Sequence, residues 1–151
     1  MKIFNVPLGT ISLLYGPRQI GKTASLKLFL TTINDCETLI YSDCSIVLNK
    51  TDLYEHLSSF LDNNATTVVL DEVQSVSDWH QAIRALYSEG RLKNCRLWCT
   101  GSEARYLIES GERLPGRKGF GKNVFARPWN FRKFIDIFYP EQSLNANYKH
   151  I

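Results

Sequence analysis

Long apolar runs are missing from this chain. None of its 151 residues belongs to a stretch approaching the roughly 20 needed to cross a bilayer, so no membrane contact is expected. Cysteine is scarce. Cys36, Cys44, Cys95 and Cys99 form no C-x-x-C pair and have no histidine at zinc-ligand spacing, which argues against a structural zinc module. They read as reduced core thiols, with Cys95 and Cys99 on one face of a strand. Only three histidines occur, His56, His80 and His150, and none is assigned a role. The N-terminus carries one lysine, a short apolar stretch and a Gly-Pro turn, without a small-residue cleavage site. It reads as mature protein, and the expected compartment is the cytoplasm.

What remains is an ordinary globular composition, 44% hydrophobic and 22% charged, which excludes disorder, collagen-like repetition and coiled coil for the whole. A chain of this length buries roughly 70% of its unfolded surface, enough for one independent core. Short apolar segments alternate with amphipathic ones. Residues 10–15 (TISLLY), 38–41 (TLIY), 66–70 (TTVVL), 95–100 (CRLWCT) and 122–127 (KNVFAR) read as strands, the third a β-branched run covered on both faces. Leu26, Phe29, Leu30 and Ile33 mark one helix face, and Leu53, Leu57, Phe60 and Leu61 a second, stopped by Asn63-Asn64. Trp79, Ile83, Leu86 and Tyr87 mark a third, with Asp78 as N-cap and Gly90 as stop. The alternation predicts right-handed crossovers, a mostly parallel sheet and a single α/β domain.

The sharpest signal is Gly16-Pro17-Arg18-Gln19-Ile20-Gly21-Lys22-Thr23, a phosphate-binding loop set between the first strand and the first helix. Its glycines let the backbone curl so that N–H groups converge on an anion. Lys22 supplies a cation for the β- and γ-phosphates, and the Thr23 hydroxyl is placed for Mg²⁺. The loop opens a helix, whose N-terminal dipole further favours negative charge, and the candidate nucleotide-binding residues run from Gly16 to Ala24. The chain is thus expected to bind a nucleoside phosphate. The third strand ends in Asp71-Glu72, beyond the carboxyl edge where ligands of such sheets sit. Asp71 is the candidate Mg²⁺ carboxylate and Glu72 the group that orients water toward the γ-phosphate. The fourth strand ends in Thr100-Gly101-Ser102, where a hydroxyl would lie beside the attacking water or the γ-phosphate and report it, with Thr100 the candidate. Arg18 is read as facing away from that phosphate.

In this order, GPRQIGKT, VVLDEVQSVSDWHQAIRALYSEG, LWCTGSEARYL and GERLPGR resemble the ATPase module of a prokaryotic AAA+ family that precedes a C-terminal domain of unknown function. The likeness spans roughly residues 7 to 138, and the D-E-V-Q-x-x-x-D-W segment is its most specific part. It implies a three-layer P-loop fold of AAA+ (ASCE) type with a five-stranded sheet in the order 5-1-4-3-2. It further implies ATP and Mg²⁺ as cofactors, Asp71 and Glu72 as the Walker B pair, and Thr100 at the sensor position. Arg117 would sense phosphate or reach a neighbouring subunit's nucleotide. Ala24 departs from the usual second threonine. Residues 1–140 are taken as the ATPase core and 141–151 as a C-terminal tail, either cut short of the family's lid and C-terminal domain or ending a minimal ATPase.

The net charge of +3 is uneven. Arg113, Arg117, Lys118, Lys122, Arg127, Arg132 and Lys133 occur with no acidic residue between the first and the last, interleaved with Phe120, Phe125, Trp129, Phe131 and Phe134. Charge for a backbone and rings for bases suit single-stranded nucleic acid. Phe131, Phe134, Ile135 and Phe138 fall at core-facing helical spacing, however, so a solvated face, or a surface for self-association, a partner protein or a further domain, is the favoured reading of the basic residues. The reading is an ATPase hydrolysing ATP to ADP and phosphate. A non-hydrolysing nucleotide switch and an ATP-regulated nucleic-acid-binding module are the alternatives.

Overall fold

The computed structural model describes residues 6–30, 38–102 and 122–128. Five strands, β1 (Ile11–Tyr15), β2 (Leu39–Asp43), β3 (Thr67–Asp71), β4 (Arg96–Gly101) and β5 (Asn123–Phe125), form one sheet in the order β2-β3-β4-β1-β5. Every pairing is parallel. This is the expected order read from the other edge. Helices α1 (Lys22–Leu30), α2 (Lys50–Asp62) and α3 (Trp79–Ser88) are the crossovers.

Side-chain alternation divides the interior. Ile11, Leu13, Val68, Leu70, Leu97 and Cys99 point to one face, where they pack with Leu53 and Leu57 of α2 and Trp79, Ile83 and Leu86 of α3. Leu14, Val69 and Trp98 point to the other, against Leu26 of α1. Residues one apart on a strand face opposite sides, so the continuous apolar runs of β1, β3 and β4 supply both layers. Phe29 and Leu30 are in α1, but their side chains, and Ile33, lie outside the described residues. Cys44, Cys95 and Cys99 are buried thiols in no disulfide, as core thiols should be; Cys36 lies outside the described residues.

Helix ends behave unequally. α2 stops as expected, with Asn64 at φ 59° and the Ala65 N–H donating to Phe60 O at 3.1 Å. Gly90, at φ 73°, closes α3 in the same manner, the Arg91 N–H reaching Leu86 O at 3.0 Å. At the start of α3, Asp78 occupies the N-cap position but in a left-handed conformation, and its side chain makes no capping bond. A side-chain cap exists instead on α2, where Asn49 accepts from Thr51 and Asp52 N–H. β5 is shorter than expected, because at this edge only Leu13, Leu14 and Tyr15 of β1 are paired with it. Phe125 stays 46% exposed and meets the Tyr15 ring at 5.5 Å.

Candidate nucleotide site

The carboxyl ends of β1, β3 and β4 open onto one place because parallel strands share a direction. The loop after β1 turns back over them into α1. At its entry Gly16 has φ 151°, and a Cβ there would stand 2.3 Å from Ala126 O, so only glycine lets the loop lie against the end of β5. Lys22 is buried and donates to two of the loop's own carbonyls, Gly16 O at 2.9 Å and Pro17 O at 2.8 Å.

Asp71 gathers four donors. Its Oδ2 accepts from Thr23 Oγ at 2.7 Å and Tyr41 OH at 2.6 Å. Its Oδ1 accepts from the Glu72 N–H at 3.1 Å and, in a short contact, from the Thr100 hydroxyl. Burial works to raise the Asp71 pKa, but these hydrogen bonds outweigh it and leave the carboxyl below its ordinary value, hence ionised. Burial and the neighbouring Asp71 push the Tyr41 phenol well up, which keeps it protonated and a donor. Thr23 and Asp71 thus converge as hard oxygen ligands, a set that fits Mg²⁺ completed by phosphate and water. Among the described residues no cluster of three or more His, Cys, Asp or Glu offers an alternative metal cage.

Glu72 stands one step further on, in a left-handed conformation at φ 51°. Its Oε2 accepts from Gln74 Nε2 in a short contact and from Ser102 Oγ at 3.3 Å, and Gln74 Nε2 also lies 3.3 Å from Ser102. Arg18 reaches toward the end of β4, where its Nε donates to Ser102 Oγ at 3.4 Å.

Three adjoining cavities surround the loop. One of about 430 Å³ is lined by Gly21, Lys22, Thr23, Lys27 and Glu72, and one of about 380 Å³ by Arg18, Ser45, Glu72 and Gln74. The third, about 520 Å³ and mainly apolar, is lined by Ile20, Ala24, Ser25, Leu28 and Pro128. Gln19 borders all three.

The expected loop residues Gly16, Lys22 and Thr23 therefore meet Asp71, Glu72 and Thr100 in one place. Thr100 is fully buried and engages Asp71 and the Glu72 N–H. Arg117 lies outside the described residues, as does most of the basic segment. Tyr41 belongs to the site without having been singled out, while Gln74 and Ser102 stood only inside the D-E-V-Q and Thr100-Gly101-Ser102 runs, with no partner assigned. Gln74 had a cue two positions after Glu72, and Ser102 one at the end of the fourth strand.

Comparisons with known proteins bear on the fold. No curated protein sequence matches the chain significantly. Solved structures with a similar fold include Cdc6p from Pyrobaculum aerophilum (12% identity, TM-score 0.57, 84% of this chain and 41% of that one). The Aeropyrum pernix ORC2 protein, solved as ADPNP-ADP complexes, has 16% identity and a TM-score of 0.61 over 93% of this chain and 47% of its own. A DNA polymerase III gamma subunit-related protein from Thermotoga maritima has 14% identity and a TM-score of 0.56 over 91% and 49%. The chain spans less than half the length of each. A family profile described as an AAA domain matches residues 9–135. By that match over most of its length, and by its sheet order, the chain belongs to the AAA domain family.

Proposed function

We propose that the chain binds ATP with Mg²⁺ and hydrolyses it to ADP and phosphate. The observation that carries this reading is the meeting of Thr23 and Asp71 at 2.7 Å, with Glu72 directly following and Lys22 behind the loop. Lys22 and the loop N–H groups bind the β- and γ-phosphates, with Thr23 and Asp71 as the residues that hold the metal. Bound there, Mg²⁺ would neutralise phosphate charge and fix the triphosphate. Glu72 orients a water and takes its proton. The water oxygen bonds to the γ-phosphorus as the bridging P–O bond breaks, and ADP leaves with the electron pair. The apolar cavity by Ala24, Leu28 and Pro128 suits the base. Thr100 acts here through Asp71, holding the carboxylate in place.

The D-E-V-Q-x-x-x-D-W segment supports the narrower prokaryotic family, and with it a role for Arg117 in phosphate sensing or at a neighbouring subunit. Nucleic-acid contact is a second reading, favoured by Lys122 and Arg127 flanking the half-exposed Phe125 at the sheet edge. Added single-stranded DNA should then raise turnover; no change removes that reading. For hydrolysis itself, Glu72→Gln keeps size and hydrogen bonding but loses the base. ATP affinity by calorimetry should hold while turnover falls about 10²-fold or more. Equal turnover in both proteins would overturn the reading.

A further inference from the structure

Arg18 sits in the phosphate-binding loop, exposed to solvent, yet its guanidinium is tied to the end of β4. Its Nε is 3.4 Å from Ser102 Oγ, and the same oxygen is 3.3 Å from Glu72 Oε2. One hydroxyl therefore separates the cation from the base. Both side chains line the same cavity of about 380 Å³, on opposite elements, with Gln74 and Ser45 completing its wall. The terminal nitrogens of Arg18 form no hydrogen bond or ion pair with any described residue. Lys22, the other cation of the loop, is by contrast buried against the Gly16 and Pro17 carbonyls.

The geometry points to Arg18 as a catalytic arginine supplied in cis, whose guanidinium takes the γ-phosphate oxygens while Ser102 holds it next to Glu72. This rests on the hydrolytic reading above. As water adds to the γ-phosphorus and the bridging bond to ADP breaks, negative charge spreads over the equatorial oxygens. Lys22 covers part of it. The planar fork of an arginine can meet two of those oxygens at once, which a lysine cannot, and such an arginine accelerates phosphoryl transfer by about 10³–10⁵-fold. Because ADP lacks the γ-phosphate, Arg18 also sets the preference for triphosphate over diphosphate. Ser102 is a positioning residue, shared by Arg18, Gln74 and Glu72.

The test compares wild type, Arg18→Ala, Arg18→Lys and Glu72→Gln, each checked by circular dichroism for an unchanged fold. Affinities for Mg-ADP and for a non-hydrolysable Mg-ATP analogue are measured by calorimetry, and turnover at low and high protein concentration. Arg18→Ala should keep ADP affinity within about threefold, lose most of the preference for the triphosphate, and drop turnover by about 10³-fold. The loss should be equal at both concentrations, since arginine and base lie on one chain. Arg18→Lys should recover affinity for the analogue but little turnover. If Arg18→Ala matches wild type in turnover and in triphosphate preference while Glu72→Gln is inactive, the arginine assignment is overturned and hydrolysis stands. If Glu72→Gln turns over like wild type, the hydrolytic reading falls first. Should wild-type turnover be too slow to compare, an unchanged triphosphate preference in Arg18→Ala overturns the proposal by itself.

Discussion

Tyr41 and Thr23 donate to the same oxygen of Asp71, so the phenol fixes a carboxylate it helps to keep charged. Tyr41→Phe removes one donor and leaves the ring, which Lys27 overlies at 5.2 Å. The Mg²⁺ concentration needed for half-maximal nucleotide binding should rise about tenfold, the usual scale for loss of an outer-shell partner, with little change in melting temperature. An unchanged Mg²⁺ titration would show that Thr23, Thr100 and the Glu72 N–H suffice. Gly16 makes a different demand. Gly16→Ala must relieve a 2.3 Å approach to Ala126 O at φ 151°, so urea denaturation should show a loss on the order of 3 kcal/mol. A loss under 1 kcal/mol would mean that the end of β5 moves aside freely.

At the scale of elements, caps and strand ends show what local sequence can and cannot say. Asn49→Ala should cost about 1 kcal/mol, because its side chain satisfies two N–H groups of α2. Asp78→Gly should be neutral or stabilising by a few tenths, since Asp78 holds a left-handed conformation and caps nothing with its side chain. Urea midpoints of the two variants test this, and the reverse ranking would contradict the cap assignments. Both residues have the composition of an N-cap; only the backbone angle separates them, and three-residue patterns do not encode it. The strands, the loop and the Asp71-Glu72 pair were legible because each is a contiguous run with one period. Sheet order was legible through the family resemblance. Tyr41 was not, because its bond to Asp71 spans 30 positions; Gln74 and Ser102 stood in quoted motifs, but the contact that joins them spans 28 positions. The Arg18 contact was not legible either: a loop side chain takes its direction here from a partner 84 positions away.

For the molecule as a whole, the buried thiols set an alkaline limit. Burial, chiefly, pushes Cys44 and Cys95 from 9.0 up to about 12. Between those values the unfolded chain has released protons that the folded chain keeps, so stability is full below pH 9 and lost as pH rises. Urea midpoints should therefore fall above pH 9, by roughly 1.4 kcal/mol per pH unit for each thiol. Cys44→Ala should flatten the slope even if it lowers the plateau; an unaltered slope would assign the alkaline loss elsewhere. Lys22 carries a further consequence, for how the loop can be interrogated. Its ammonium braces the Gly16 and Pro17 carbonyls from within. Truncating it leaves two acceptors without their donor, a penalty of about 1–3 kcal/mol each where buried. Lys22→Ala is thus a lesion in architecture as much as in recognition, and lost ATP binding in that variant has two origins. Glu72→Gln and Arg18→Ala leave that brace intact, which makes them the cleaner instruments.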